Sequence, residues 1–524
     1  MLMRASRLAD NDTSVHRRVG RLWAQSGLHV VLLVVLVGFS SWLGYVGFLA
    51  SDDEYYSSAA IGWLDHFPYV GTNHWGLRHA VVLPVALSFW LGGINELSMM
   101  LPLKAYLLLL MLLTYACLAR LVERKTALLA SALIALTPIF ALPSSVSDDV
   151  VECFFVAASF WAFYFGSETR VKPVFLVLCG IGAGLAFVTR ETSASIGIFY
   201  GLLFVRGWRV ARPYFFLIAG GFLLVLAIDT VYLAIMTDDP YYRFHASMRG
   251  LAGDNPLDPE IAATFPVRYG LDRIGLIGVP RAVQPVVMLL TAHQLFPLFF
   301  FVFPAGLWLW KNRARREREF EIGHLSGLLG LIWFLTLSYL LMMLWLEPRY
   351  QTVTVYCAIM VVALWFGTAN LRSISWGLVA LLCIGDLLMI YLDNKSLMFA
   401  EKTLVSLARS SGEPIYTDPA TFGGASFLLN YMVPGQNVIA GLAPAGGLFF
   451  YNPSPARRGL HRDGVREFEP RSTWALLQSV TEQPKISARV LRASGLEAVL
   501  PLAVAQKLDL PLRRCYLYRL PWQQ

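Results

Sequence analysis

Eleven apolar runs, most of them long enough to cross a bilayer, leave this chain few folds to choose from. They lie at 28–50, 98–119, 126–143, 148–166, 173–190, 192–206, 214–236, 281–310, 322–346, 350–367 and 373–392. About 20 helical residues span the hydrocarbon core. Backbone in hydrocarbon must satisfy its own hydrogen bonds, so such runs form helices. The run at 192–206 is short, and only Glu347-Pro348-Arg349 separates 322–346 from 350–367. Of the 524 residues, 56% are hydrophobic and 15% charged, which excludes an ordinary soluble domain. The expectation is a polytopic α-helical membrane protein with about 11 transmembrane helices.

The charges between the runs orient it. Arg4, Arg7, Arg17, Arg18 and Arg21 fall on one side with Arg120, Arg124, Lys125, Arg170 and Lys172. Arg206, Arg209, Arg212, the Lys311–Arg318 cluster and Arg372 follow on that same side. The short segments of the other side hold almost no Lys or Arg beyond Arg190 and Arg349. The positive-inside rule then places the N-terminus in the cytoplasm and everything after 393 outside. A net charge of +8 spread in such patches marks a membrane protein's inner face and argues against nucleic-acid binding. The six cysteines include no CxxC pair, so neither a disulfide framework nor a zinc site is indicated.

Residues 1–27 are polar and basic without a signal-peptide core and read as a retained cytoplasmic tail. Residues 28–392 form the membrane domain. Its first outer loop, 51–97, contains amphipathic stretches near Tyr55–His66 and Trp75–Trp90, expected to lie on the membrane surface. A second large outer loop covers 237–280. Residues 393–524 mix short apolar runs (Asn437–Leu442, Gly447–Tyr451, Ala498–Leu502) with Gly/Pro turns, predicting a soluble α/β domain.

Acids and bases gather at the outer ends of the runs, where charge in or near a span is costly and points to function. Asp52, Asp53 and Glu54 follow the first run. Lys104, Glu152, Asp229 and Asp386 lie in the outer parts of later ones, joined by Asp148, Asp149, Arg190, Glu191, Arg243, Glu347 and Arg349. A transporter would instead need polar groups near the midplane with access from both sides. A one-sided cluster suits transfer from a lipid-borne phosphate ester, with arginines gripping phosphate and carboxylates deprotonating a hydroxyl or holding a cation. Each has a bland counterpart: helix capping for Asp52 and Asp148, interfacial anchoring for Arg190, Arg349 and Lys104.

Asp53-Glu54-Tyr55, the acidic turn 143–149, Thr189-Arg190-Glu191-Thr192 and Glu347-Pro348-Arg349-Tyr350, in that order and on one side, resemble the GT-C superfamily of polytopic glycosyltransferases. The closer resemblance is to its bacterial branch related to protein O-mannosyltransferases and lipid A aminoarabinose transferases. It covers roughly 28–392, and the soluble domain beyond also fits.

The resemblance implies a polyprenyl-phosphate sugar donor, usually undecaprenyl phosphate, with no nucleotide cofactor. Asp53 would be the general base that activates an acceptor hydroxyl, and Glu54 would orient it or help bind a cation. Asp148 or Asp149 would supply a second carboxylate. Arg190 and Arg349, with Lys104, Arg243 and Tyr350 as further candidates, would hold the donor phosphate. The doubled acid Asp52-Asp53 leaves the register of the base open by one residue. A divalent metal is a candidate cofactor, with Glu54, His74 and His79 as candidate ligands. The implied setting is the outer face of a bacterial inner membrane, with a glycan, lipid or protein acceptor. The alternatives are a ligase of lipid-linked glycans and a flippase of lipid-linked sugars. Acids clustered after the first span argue against the former, and the lack of hydropathy symmetry argues against the latter.

Overall fold

The computed structural model describes residues 27–142, 147–168, 170–252, 280, 282–315, 317–340, 347–368, 374–393, 398–432, 437–453, 468–483 and 513–522, with a few positions between 489 and 498. The tail 1–26, most of the turn 143–149 and the loop 253–279 lie outside them.

Helices form at all eleven apolar runs. They are α1 (Gly27–Leu43), α4 (Glu96–Leu118), α5 (Arg124–Leu136), α6 (Asp149–Gly166), α7 (Pro173–Thr189), α8 (Ser195–Arg206) and α9 (Phe215–Thr237), followed by α11 (Gln284–Thr291), α12 (Leu298–Lys311), α13 (Arg318–Leu335), α14 (Thr352–Thr368) and α15 (Ile374–Asp393). The segment 51–97 supplies α2 (Asp52–Asp65) and α3 (His79–Gly92), and the segment after α9 supplies α10 (Tyr242–Ala252). Two runs are interrupted. Pro138 has no N–H to continue α5, so the run at 126–143 restarts as a single turn, Pro138–Ala141. The run at 281–310 breaks between α11 and α12, just before Pro297.

Helix α14 is buried on nearly every side and forms the axis of the bundle, while α9 lies at its edge. Small residues let α7 and α9 approach closely. A side chain at Gly180 would run into the Ile218 carbonyl, and one at Gly221 into that of Val177. This is how membrane helices pack where no hydrophobic effect drives them together. Polar side chains tie the interior. Ser159 donates to the Cys179 carbonyl at 2.8 Å and lies 2.7 Å from the Tyr200 hydroxyl. Trp161 donates to the Tyr356 hydroxyl at 2.9 Å.

The two surface stretches behave differently. Helix α2 buries one face through Tyr56, Ala59, Ala60 and Ile61. Helix α3 was expected to be amphipathic, yet Val81, Val82, Val85 and Phe89 are buried while Leu83, Leu87, Trp90 and Leu91 are exposed. It is apolar all round, so it suits embedding in hydrocarbon better than lying with one face in water.

After α15 come helices α16 (Phe399–Ser410) and α17 (Pro419–Phe427) and a five-stranded mixed sheet. Its strands are β1 (Ile415–Thr417), β2 (Val438–Ala440), β3 (Leu448–Tyr451), β4 (Ala475–Thr481) and β5 (Arg514–Arg519), in the order β2-β1-β3-β5-β4. β2 and β3 flank β1 in parallel, and β5 pairs antiparallel with both β3 and β4. Asn437–Leu442 and Gly447–Tyr451 thus become strands, while most of Ala498–Leu502 lies outside the described residues. Leu404, Phe427, Leu448 and Phe450 share one core with the helix bundle, so this sheet is packed onto it.

Gly180→Val should force α7 from α9 and destabilise by roughly 1–3 kcal/mol, read as a lower thermal midpoint in detergent. Gly197→Ala, where a new methyl group meets nothing within 4 Å, should leave that midpoint unchanged.

Candidate active site

The segment from α1 to α2 decides which acid faces outward. Asp53 turns back on its own backbone, accepting from the Leu49 and Ser51 N–H groups at 2.7 Å each. It is 1% exposed. These bonds hold a turn in which Ala50 adopts a left-handed φ of +49°, uncommon for a residue with a side chain. Burial raises the Asp53 carboxyl to about 6 despite the backbone donors. Asp52 points the other way. Its Oδ2 accepts from Arg349 Nη1 at 2.9 Å, and the two side chains stay 26% and 39% exposed. Of the doubled acid, Asp52 is therefore the more exposed, and Asp53 holds the turn.

Around this pair is a buried network. Asp148 and Asp149 open α6, where a helix N-terminus favours negative charge. Asp148 makes no capping bond; it accepts from Arg78 at 2.8 Å and lies 3.6 Å from Arg190. Asp149 pairs with Arg190 and accepts from the Ser147 hydroxyl at 2.7 Å. Glu152, one turn on, lies 3.5 Å from Arg190 and accepts from Thr192 and Ser193. The Arg190 guanidinium stands 4.4 Å from the centre of the Tyr350 ring, and that of Arg349 stands 5.5 Å from it. Arg349 also approaches Glu347 at 2.7 Å. Helix ends from at least four segments thus meet at one end of the bundle. Arg209, in the loop after α8, and Glu321, in the first turn of α13, lie 3.3 Å apart at the other.

The remaining candidates sit elsewhere. Arg243 donates to Asp229, to the Leu77 carbonyl at 2.8 Å and to the Val188 carbonyl at 3.2 Å. It fastens α10 to α7 and α9, and its donors already have partners. Lys104 donates to the Ala141 carbonyl at 3.1 Å, at the turn where α5 breaks. Glu54 is half-buried on α2. His74 packs against Trp75 with ring centres 3.8 Å apart, and burial and then Arg78 lower its pKa to about 4. His79 lies 3.7 Å from Asp229. Among the described residues, no three His, Cys, Asp or Glu side chains gather as a cation's ligand set. Glu54, His74 and His79 therefore do not fit the metal site expected of them.

Three comparisons bear on this architecture. Residues 80–232 match the family of dolichyl-phosphate-mannose-protein mannosyltransferases. The structure is similar to that of ArnT from Cupriavidus metallidurans bound to undecaprenyl phosphate. The TM-score is 0.55 at 12% identity, over 82% of this chain and 93% of that one. The apo state of the same protein aligns with a TM-score of 0.53 at 12% identity, over 87% and 96%. The fold is of the GT-C type. The structure is also similar to that of the oligosaccharyltransferase AglB from Archaeoglobus fulgidus, in complex with an inhibitory peptide and a dolichol-phosphate. Its TM-score is 0.50 at 13% identity, over 80% of this chain and 65% of that one. No curated protein matches the chain in sequence.

Within this GT-C bundle, one central residue escaped the sequence reading. Arg78 is 7% exposed, donates to Tyr56 and Asp148, and lies 3.7 Å from Glu191. It joins α2, the start of α3, α6 and the turn after α7. The signal was present: Arg78 is the one Lys or Arg in the sequence from 51 to 97.

Removing one partner of a buried ion pair strands the other. Arg78→Met should therefore cost roughly 3–5 kcal/mol, and adding Asp148→Leu should recover most of it in a double-mutant cycle. Asp53 yields a pH test. Its pKa is about 6 in the fold against 3.8 otherwise, so ionising it costs stability, not at all below about pH 4 and fully above about pH 6. The thermal midpoint of the wild type relative to Asp53→Asn should fall as pH rises through that window.

Proposed function

We propose that the protein is a membrane glycosyltransferase that moves one sugar from a polyprenyl-phosphate donor to an acceptor hydroxyl. The acceptor is a glycan, lipid or protein at the outer face of a bacterial inner membrane. The observation that carries this reading is the Asp52–Arg349 contact, a half-open acid and arginine beside a second arginine, at one end of a GT-C bundle. The family match and the lipid phosphate bound by the ArnT structure support it.

The chemistry follows from the residues. Arg349 is the more exposed of the two arginines that flank Tyr350, so it is the one to grip an arriving phosphate. In doing so it exchanges Asp52 for the phosphate, and the Asp52 carboxylate is released as a base. The acceptor hydroxyl gives its proton to Asp52, and its oxygen bonds to the anomeric carbon. The bond from that carbon to the phosphate oxygen breaks, and its electrons leave with the lipid phosphate. Arg349, supported by Arg190, stabilises that departing charge, so no general acid is required. Arg190 faces three carboxylates and also holds the frame. No step passes through a metal ion.

The test is transfer from labelled undecaprenyl-phosphate sugars to a membrane glycan extract by protein in nanodiscs. Asp52→Asn should lower transfer by about 10²–10⁴-fold at an unchanged thermal midpoint, while Asp53→Asn should lower both together. Full transfer by Asp52→Asn would remove the base from the mechanism. A polymeric product, or flipping of donor in liposomes without covalent transfer, would overturn the reaction class.

A further inference from the structure

Glu96 is the first residue of α4, which is capped by Asn95 accepting from the Ser98 N–H at 2.9 Å. Its Oε1 lies 2.6 Å from Lys402 Nζ on α16 and accepts from the Phe48 N–H at 3.2 Å. Its Oε2 accepts from the Tyr45 hydroxyl at 2.8 Å. One carboxylate thus joins three parts of the chain: the capped end of a long helix, the segment leading to Asp52, and the region after α15. The contact is close. Gly47 has φ +78°, and a Cβ there would stand 2.5 Å from Lys402 Nζ and 3.2 Å from the Glu96 carboxylate. Phe48 beside it is buried and stacks on Phe427 of α17, ring centres 5.2 Å apart.

From the next residue on, the same segment is held again, now by Asp53 through the Leu49 and Ser51 N–H groups. Residues 45–51 therefore run between two carboxylates, one on α4 and one on α2. Two left-handed residues, Gly47 and Ala50, make the turns between them. Helix α2 starts where this segment ends, so the placing of the segment sets the placing of Asp52 opposite Arg349.

We infer that Glu96 is a positioning residue for Asp52, clamping the segment 45–48 to Lys402 so that the region after α15 fixes the geometry of the site. The inference rests on Asp52 being the base and deepens that reading. A merely structural ion pair makes a different prediction. The Glu96 and Lys402 side chains are about a quarter exposed, and exposed pairs contribute roughly 0–1 kcal/mol. Breaking this one should leave the fold intact, whereas a small displacement of a catalytic group can cost about 10²-fold in rate.

The test compares wild type with Glu96→Gln, Lys402→Met and Lys402→Arg in nanodiscs. It reads amide hydrogen exchange at Leu49 and Ser51, the thermal midpoint, and kcat and KM for donor and acceptor. Glu96→Gln and Lys402→Met should speed exchange at those two amides by about tenfold or more. They should lower kcat by roughly 10- to 100-fold with donor KM and midpoint nearly unchanged. Lys402→Arg should restore both. Unchanged exchange overturns the clamp, and so does a kcat loss that merely tracks a falling midpoint. Faster exchange with unchanged kcat overturns the positioning role. Exchange needs no substrate, so a wild type inactive with every donor would count against the reaction, while the amides would still decide the clamp.

Discussion

Two buried arginines hold one end of the helix bundle together. Arg78 and Arg190 are each less than a tenth exposed, and a buried guanidinium is tolerable only when carboxylates surround it. That requirement draws in Asp148, Asp149 and Glu152 from α6 and Glu191 from the turn after α7. Helix ends distant in sequence must therefore meet at one depth. The half-open pair of Asp52 and Arg349 rests on the rim of that frame. Guanidiniums packed among several carboxylates make a rigid frame, which is what a site needs if it is to hold a phosphate and a hydroxyl in line.

The helices were legible from the sequence because each apolar run reports its own environment. Every run from 28–50 to 373–392 contains helix, and the shared side of Asp52, Asp148, Arg190 and Arg349 followed from alternation of charge alone. The likeness to GT-C enzymes was also legible, although sequence identity to the similar structures is only 12–13%. Chains that share so few residues can share a fold, because hydrocarbon accepts many apolar side chains at most positions.

What the sequence hid depends on side-chain direction. Asp52 and Asp53 are neighbours of one type, and a helix start turns successive residues about 100° apart. Only the course of 45–51 shows that Asp53 caps that segment and Asp52 faces Arg349. Arg243 looked as available as Arg349, yet two backbone carbonyls and Asp229 claim its donors. Helix α3 was misread as amphipathic because its flanks are polar while its own faces are both apolar. The expected metal ligands were grouped by nearness in sequence, but His74 turns to Trp75 and His79 to Asp229.

The most direct test is a cryo-EM structure of the protein in nanodiscs with a polyprenyl-phosphate sugar bound. The account predicts phosphate within hydrogen-bond distance of Arg349 Nη1, the Asp52–Arg349 contact opened, and the anomeric carbon turned towards Asp52. Phosphate bound away from Arg349, with Asp52 still paired to it, would contradict it.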